Sequence, residues 1–196
     1  MHHWASTSIL KPLSYTCGHC GNPLSSNVGF SKGVHLDGSG LSVEQVYICH
    51  HCEKPTYTGV GIQIPGPRPG EDVSGIEDSG VNTLYKEARD AYSQNAFTAT
   101  ILCCRKLLMH IAVSKGADAG KQFIEYVEFL SSENYIPRDA KGWVDQIRKR
   151  GNEANHEIAI GTKEQANDLM SFLTMLLKLV YEFPSKVPKP PALGTA

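Results

Sequence analysis

The sequence lacks the features that mark several large classes of protein. No apolar run approaches the roughly 20 residues needed to span a bilayer, and the N-terminus, MHHWASTSIL, lacks the apolar core of a secretory signal. A strong excess of positive charge is also missing, since 19 basic and 20 acidic residues give a formal net charge of -1. These absences predict a cytoplasmic protein without a membrane segment, and they exclude one held to nucleic acid mainly by counterion release.

Neither part of the chain carries an excess of positive charge. Residues 1–80 carry 4 basic and 7 acidic groups, and residues 81–184 carry 13 of each. Any contact with nucleic acid must therefore be local. The obvious local patch is formed by three consecutive basic residues, Arg148, Lys149 and Arg150.

Composition divides the chain into four segments. Residues 1–64 combine Val, Ile, Tyr and Thr with Gly, Asn, Pro and Ser, which predicts short strands and turns. Residues 65–80 are dominated by Pro and Gly, which is typical of a linker. Residues 81–184 repeat apolar side chains every three and four positions, as helices do. Residues 185–196 form a proline-rich tail that we expect to be flexible. The predicted fold class is mainly α, with a small N-terminal β domain followed by a bundle of four to five helices.

Five helices are predicted in the third segment. The second of these is apolar nearly all round and closed by Gly116, so we expect it to be the central helix of the bundle. The third ends before Pro137, and the last opens with Thr162 and Gln165 in capping-box spacing and stops at Pro184. The five stretches are VNTLYKEARDAY, AFTATILCCRKLLMHIAVSKG, KQFIEYVEFLSSENY, PRDAKGWVDQIRKRGNEANH and TKEQANDLMSFLTMLLKLVYEF.

Two Cys-x-x-Cys pairs are the strongest chemical signal. Cys17 and Cys20 form CGHC, and Cys49 and Cys52 form CHHC. Two residues between thiolates allow a tight turn to aim both sulfurs at one ion, and two such turns complete a tetrahedral shell. A strand-rich segment this small cannot bury a sufficient core unaided, which favours metal over free or redox thiols. The prediction is a zinc ribbon whose zinc is structural, because a closed shell of four thiolates leaves no position for water.

The other cysteines and the neighbouring histidines are expected to be structural or exposed. Cys103 and Cys104 are adjacent on a predicted helix, so they are interpreted as small buried hydrophobes. His19, His50 and His51 lie in or beside the two pairs, and with four sulfurs available we expect them at the surface. Some zinc ribbons bind nucleic acid and others bind proteins. The acidic balance of this segment favours a protein partner.

The stretch DQIRKRGNEANHEI, residues 145–158, is unusually polar for a bundle helix. On a helical wheel Trp143, Ile147, Gly151, Ala154 and Ile158 fall on one apolar stripe. A separate face carries Asp145, Arg148, Asn152, Asn155 and His156. Three interpretations stay open for this face: a buried polar network that fixes packing or a dimer interface, a contact with nucleic acid or nucleotide, and a catalytic site.

Residues 81–184 resemble a known family, the domain of unknown function 4145, which is grouped with HEPN-like helical domains. The resemblance is carried by LYKEARDAY, TILCCRKLL, IRKRGNEANH and LLKLVYEFP. It implies a four- or five-helix HEPN-like bundle, often dimeric, of a kind found in restriction, anti-phage defence and mobile elements. It also marks Arg105, which we expect to pair with an acidic residue such as Glu87 or Asp90.

Catalytic HEPN domains cut RNA without metal through an Arg-x(4–6)-His motif at a dimer groove. In RGNEANH, Asn152 and His156 keep the usual spacing, but Gly151 stands where the arginine is expected. Arg150 satisfies the looser spacing and faces away on the wheel, whereas Arg148 faces correctly at too long a spacing. The only other match to the loose motif joins Arg105 to His110, in the most apolar helix, and we interpret it as coincidence.

Two hypotheses follow for the whole chain. The leading one is a binding or adaptor module in prokaryotic or phage defence: it forms a homodimer through its helical domain, presents its zinc ribbon as a recognition surface, and contacts RNA, a nucleotide or a protein partner. The alternative is a metal-independent endoribonuclease. In that enzyme His156 would be the acid/base, Arg148 or Arg150 the phosphate clamp, and Asn152 their neighbour on the same face.

Overall fold

The computed structural model describes residues 4–32, 44–59, 61–137, 142–143 and 160–188. By their internal contacts the residues fall into two compact units. The first comprises Met1–Pro69 with Asp90–Ala96, and the second comprises Gly70–Arg89 with Phe97–Ala196. The two units are described separately below.

The first unit is built on one antiparallel sheet whose strands follow each other in chain order. Each strand pairs with the next along the chain, so the sheet is a meander with β1 and β5 at its edges. An irregularity interrupts the β1–β2 pairing between Ile9 and Leu13. The strands are β1 Ser8–Thr16, β2 Pro23–Ser31, β3 Gln45–Ile48, β4 Pro55–Gly59 and β5 Ile62–Ile64.

The apolar core of this sheet is very small. Its buried cluster holds Cys17, Leu24 and Cys49, with Tyr15 and Cys52 packed against it. Three of those five residues are cysteines of the two Cys-x-x-Cys pairs. A core of this size contributes too little burial to hold a domain together by itself, so the sheet needs a further source of stability.

Within the first unit, the residues that follow β5 contact residues near the end of α1. The backbone N–H of Gly66 donates to the carbonyl of Ser93 at 2.6 Å, and Arg68 pairs with Asp90 at 2.6 Å. A Cβ at Gly18 would collide with the carbonyl oxygens of Pro65 and Gly66. The first Cys-x-x-Cys turn therefore packs directly on backbone, which requires glycine at position 18.

The second unit is mainly helical in its described parts. Four helices pack around one core of buried Leu, Ile, Val, Phe, Met and Tyr side chains, and Trp143 lies against this core with its ring edge-on to Phe172. The bounds are α1 Ser79–Ser93, α2 Phe97–Ser114, α3 Phe123–Ser132 and α4 Lys163–Leu177; α4 continues through a π-helical turn, Lys178–Glu182, into a last short helix, α5 Phe183–Lys186. The last four residues of α1 group with the first unit.

Helix α2 has the role predicted for it, since it packs on both α3 and α4. Its buried side chains are Thr100, Cys104, Leu107, Leu108, Ile111 and Ala112. Among the described residues α2 is also the one helix long and apolar enough to cross a membrane, by length and composition alone. A core helix passes the same test, and one third of the residues of α2 are buried.

The ends of the helices follow the predicted signals with one exception. Thr162 and Gln165 form the expected capping box at the start of α4, and α2 ends just before Gly116, whose φ is +110°. The predicted stop at Pro184 is wrong, because the helix runs two residues further, to Lys186. Pro184 lies in the first turn of α5, after the π-helical turn, where a missing N–H removes no necessary hydrogen bond.

Gly70–Asp78, within the span 65–80 predicted as a linker, makes specific contacts in the second unit. The Tyr85 hydroxyl donates to the Glu71 carbonyl at 2.8 Å, and Lys178 pairs with Glu71 at 2.5 Å. Arg89 pairs with Asp72, and the side chains of Val73 and Ile76 pack against the helical core. Asp78 accepts hydrogen bonds from the N–H groups of Gly80 and Val81 at the start of α1.

The observed architecture agrees with the expected order of elements. An antiparallel sheet is followed by helices, as the composition predicted. With five strands, however, the described chain is mixed α and β rather than clearly mainly α. Strands β1 and β2 are each nine residues long, longer than the short strands predicted, because polar and small residues such as those in SSNVG dilute their strand pattern.

Candidate functional site

The four cysteines of the two Cys-x-x-Cys pairs lie together in the first unit. Their sulfur atoms all lie within 4.8 Å of one another. Cys17 Sγ is 3.7 Å from Cys52 Sγ, and Cys20 Sγ is 3.8 Å from Cys49 Sγ. A tetrahedral ion with metal–sulfur bonds of about 2.3 Å holds its sulfurs about 3.8 Å apart. The arrangement therefore fits one metal ion bound by four thiolates.

Both turns that carry these cysteines are built in the same way. In the first, Gly21 N–H donates to the carbonyl of Cys17 at 2.9 Å, and Cys17 N–H donates to Asn22 at 3.0 Å. In the second, Glu53 N–H donates to the carbonyl of Cys49 at 2.8 Å, and Cys49 N–H donates to the carbonyl of Lys54 at 3.1 Å. The equivalent fifth residues, Gly21 and Glu53, both adopt a left-handed backbone, with φ of 75° and 56°. Two copies of one turn thus aim two pairs of sulfurs at one point.

The thiols of this cluster differ in how readily they lose a proton. Burial opposes ionisation of Cys20, but hydrogen bonds from Asn22 and from the other thiols outweigh it and lower its pKa to about 7. Burial raises the pKa of Cys49 and raises that of Cys52 to about 12. Four thiolates this close repel one another strongly, so a bound cation is what allows all four to be ionised together.

The polar groups around the cluster are mostly satisfied without contributing a ligand. His19 Nε2 lies 3.0 Å from the carbonyl oxygen of Pro55, while His50 and His51 are exposed and their rings lie 4.3 Å apart. Trp4 Nε1 donates to the carbonyl of Glu53 at 2.6 Å, which anchors the chain before β1 to the second turn. His50 and His51 therefore lie at the surface as expected, whereas His19 is only partly exposed.

Two buried hydroxyls beside the cluster have no hydrogen-bond partner in the described part of the chain, namely those of Tyr15 and Thr56. Burial raises the pKa of Tyr15 to about 12; the nearby Thr56 hydroxyl opposes the rise and the neighbouring thiols add to it. Buried hydroxyls without a partner destabilise the folded state. We therefore expect metal binding by the four cysteines, rather than polar contacts, to stabilise this side of the small core.

The candidate catalytic residues cannot be placed. Arg148, Arg150, Asn152 and His156 all lie outside the described residues, so their assignment stays a prediction from the sequence.

Arg105 is described, and its expected pairing is wrong. Its guanidinium carbon lies 4.2 Å from the centre of the Phe123 ring at the start of α3, and no carboxylate of the described residues pairs with it. Asp90 is instead paired with Arg68. The family resemblance could not show this, because the contact of Arg105 with Phe123 depends on how α3 packs against α2.

The second match to the loose Arg-x(4–6)-His motif is not a site. Arg105 stacks on Phe123 of α3, whereas His110 Nε2 lies 3.2 Å from Asp78 Oδ2 at the start of α1. The two side chains are held by different elements, so the interpretation of this match as coincidence agrees with the structure. Cys104 is fully buried and its thiol lies 3.2 Å from Met170 Sδ, as expected of a packed free cysteine.

Comparison with protein families gives one match. The model of the domain of unknown function DUF4145 matches residues 86–191, more than half of the chain. The chain belongs to the DUF4145 family. The DUF4145 region begins inside α1 and includes Arg105 and the four unplaced candidates, but it excludes the four cysteines. Comparison with the curated proteins found no match, and comparison with the solved structures found none either.

Proposed function

We propose that this protein is a binding module in which zinc stabilises the β unit and the helical unit carries the recognition surface. The observation that supports the proposal most directly is the cluster of four cysteine sulfurs within 4.8 Å of one another. Soft thiolate ligands in a tetrahedral set favour zinc or an iron–sulfur centre over magnesium or calcium. A shell closed by four protein ligands has no position for a substrate or a water, so its role is structural.

The nature of the helical unit enters this proposal through the family. We propose that the DUF4145 region is a HEPN-like bundle that forms a homodimer and contacts RNA or a nucleotide, in prokaryotic or phage defence within the cytoplasm. The zinc ribbon would then present a second surface to a protein partner. Neither residues 1–80 nor residues 81–184 carry an excess of positive charge, which supports local recognition rather than general binding to nucleic acid.

The competing proposal is that the same unit is a metal-independent endoribonuclease. RNA cleavage by purified full-length protein, in a brief EDTA incubation that leaves its tightly bound metal in place, separates the two proposals. The wild type is compared with His156→Ala and Arg148→Ala, and the metal content is measured after each reaction. Binding of RNA without cleavage is the result expected of a binding module.

The opposite result is equally clear. Fragments that end in a 2′,3′-cyclic phosphate, and that disappear in His156→Ala, would establish the enzyme. Arg148→Ala and Arg150→Ala would then show which arginine contacts the phosphate. Sedimentation of the same samples tests the homodimer, and a protein that stays monomeric at all accessible concentrations would remove that part of the proposal.

A further inference from the structure

Arg105 differs from the other described arginines in having no anionic partner among the described residues. Arg68 pairs with Asp90 at 2.6 Å, and Arg89 pairs with Asp72. Arg105 belongs to α2, and its guanidinium stacks on the ring of Phe123, the first residue of α3. In this part of the protein, then, one arginine keeps a full set of N–H donors without a carboxylate.

The position of Arg105 makes the missing partner significant. Its side chain is partly buried, and burial alone lowers its pKa, without an opposing effect from any nearby carboxylate. An arginine stays charged in proteins even under such conditions. A partly desolvated and unpaired guanidinium is costly to the folded state, and the cost is offset when an anion binds to it.

Stacking on Phe123 also prepares the guanidinium for one kind of ligand. The aromatic ring covers one face of the planar group and restricts its rotation. The N–H groups along the edge of the plane make no hydrogen bond to the described part of the chain, and their spacing matches two oxygens of one phosphate or carboxylate. Phe123 is itself buried, with an exposed fraction of 9%, so the platform under Arg105 is fixed by the core.

The acidic group nearest in sequence to this platform is already engaged. Glu125 Oε2 accepts a hydrogen bond from the N–H of Gln122 at 2.7 Å, as part of the capping box that opens α3. Within this cap, the N–H of Glu125 donates to the carbonyl of Gln122 at 3.0 Å. Glu125 is thus not the partner of Arg105, and an anion near Phe123 would contact the Arg105 guanidinium.

We propose that Arg105, stacked on Phe123, binds a phosphate group through two of its N–H donors. The inference rests on the proposed contact of the helical unit with RNA or a nucleotide and names the residue that makes it. The phosphate could belong to an RNA backbone or to a free nucleotide, since both present two unesterified oxygens to a guanidinium. The site does not involve His110, which is bound to Asp78.

The test measures binding to metal-loaded, full-length protein. Fluorescence anisotropy follows a short single-stranded RNA end-labelled with fluorescein, and calorimetry follows ATP and inorganic phosphate. Three variants are compared with the wild type. Arg105→Met removes the charge and keeps an apolar chain over Phe123, Arg105→Lys keeps the charge and removes the planar edge, and Lys106→Met removes one exposed charge from the next position of α2.

Loss of one bidentate, charge-assisted contact is expected to weaken phosphate binding about tenfold in Arg105→Met. The slope of log K against log salt should fall by about 1 for RNA. Arg105→Lys should recover only part of the affinity, and Lys106→Met should change it by about twofold or less. Circular dichroism at 222 nm verifies that every variant keeps the helical content of the wild type.

The outcomes separate this inference from the proposed function. RNA binding by the wild type that is lost equally in Arg105→Met and Lys106→Met would overturn the Arg105 site while leaving the RNA contact intact. Arg105-dependent binding of ATP or phosphate without binding of RNA would support the site and assign it to a free nucleotide. A wild type that binds none of the three probes would refute both the site and the proposed RNA or nucleotide contact. Unchanged phosphate binding with loss of dimer in Arg105→Met would also overturn the site, because the anion would then be a carboxylate of a second copy.

Discussion

Replacing Gly70 with alanine tests whether the segment before α1 is a packed part of the helical unit. Gly70 has a φ of +69°, and a Cβ there would collide with Thr174 Oγ1 and lie 2.8 Å from the Tyr85 hydroxyl. The left-handed backbone alone costs an alanine about 1–2 kcal/mol. Overpacking against fixed neighbours adds about 1–3 kcal/mol. We expect Gly70→Ala to lower the free energy of unfolding by about 2–5 kcal/mol in total.

The neighbours of Gly70 have little freedom to move aside. Thr174 Oγ1 donates to the carbonyl of Met170 at 2.8 Å and lies 2.9 Å from the Tyr85 hydroxyl, which in turn donates to the carbonyl of Glu71 at 2.8 Å. Rotating either side chain away from an alanine at position 70 breaks one of these buried contacts. Each lost hydrogen bond costs about 1 kcal/mol.

Gly120 provides the matched control. Its φ is +79°, and a Cβ there would meet nothing within 4 Å, so Gly120→Ala should cost only the backbone term of about 1–2 kcal/mol. The reduction in unfolded-chain entropy is the same for both substitutions and cancels in the comparison. Urea denaturation followed at 222 nm measures both variants through the helical signal. A difference between them below about 0.5 kcal/mol, the usual size of a surface effect, would refute the packed position of Gly70.

Three further substitutions test other parts of the two units. Cys49→Ala should abolish binding of one metal equivalent, measured by mass spectrometry of metals, and should unfold the sheet, whereas Cys103→Ala should retain the metal; full occupancy in Cys49→Ala would contradict a four-thiolate site. Hydrogen bonds from the N–H groups of Val81 and Gly80 and from His110 lower the pKa of Asp78, so its contribution to α1 is present above the unfolded pKa and is lost as the pH falls through the lower folded pKa. Asp78→Asn keeps a capping side chain, and its urea midpoint should vary less with pH in acid than that of the wild type; an unchanged pH profile would show that Asp78 does not contribute. Leu108→Ala, at a fully buried site of α2, should cost about 2–5 kcal/mol, whereas Leu102→Ala, at a site 62% exposed, should cost about 0.5 kcal/mol or less; equal losses would contradict the burial pattern of α2.

The sequence predicted those elements whose signals are local. The capping box of Thr162 and Gln165 depends on side chains three residues apart, and the two Cys-x-x-Cys turns depend on neighbours within five residues. Each could be inferred without knowing the rest of the fold. The convergence of the two turns could be predicted from ligand chemistry, because two pairs of thiolates in a small β segment supply the four ligands of one tetrahedral metal ion.

The features that the sequence did not reveal depend on distant neighbours. The stacking of Arg105 on Phe123 requires α3 to cross α2 at one particular place. The contacts of the Gly70–Asp78 segment depend on Tyr85 in α1 and on Lys178 far along the chain. Composition alone identified this segment only as rich in Pro and Gly. The π-helical turn at Lys178–Glu182 is equally invisible, since no residue type marks a single wider turn inside a long apolar helix.

The four-cysteine cluster forms part of the buried core of the sheet in the first unit. Cys17 and Cys49 are fully buried and make up two of the three members of the buried cluster, and the other buried apolar side chains described in the sheet are Leu24, Tyr47 and Ile48. The nearby hydroxyls of Tyr15 and Thr56 are buried and, apart from each other, have no hydrogen-bond partner in the described part of the chain. Without an ion, the sulfurs that should stabilise the core would instead bring several thiols of shifted pKa into close contact. We therefore expect folding of this sheet and binding of a metal ion by the four cysteines to be a single equilibrium. The protein-binding surface proposed for the β unit would then exist only while the ion is held.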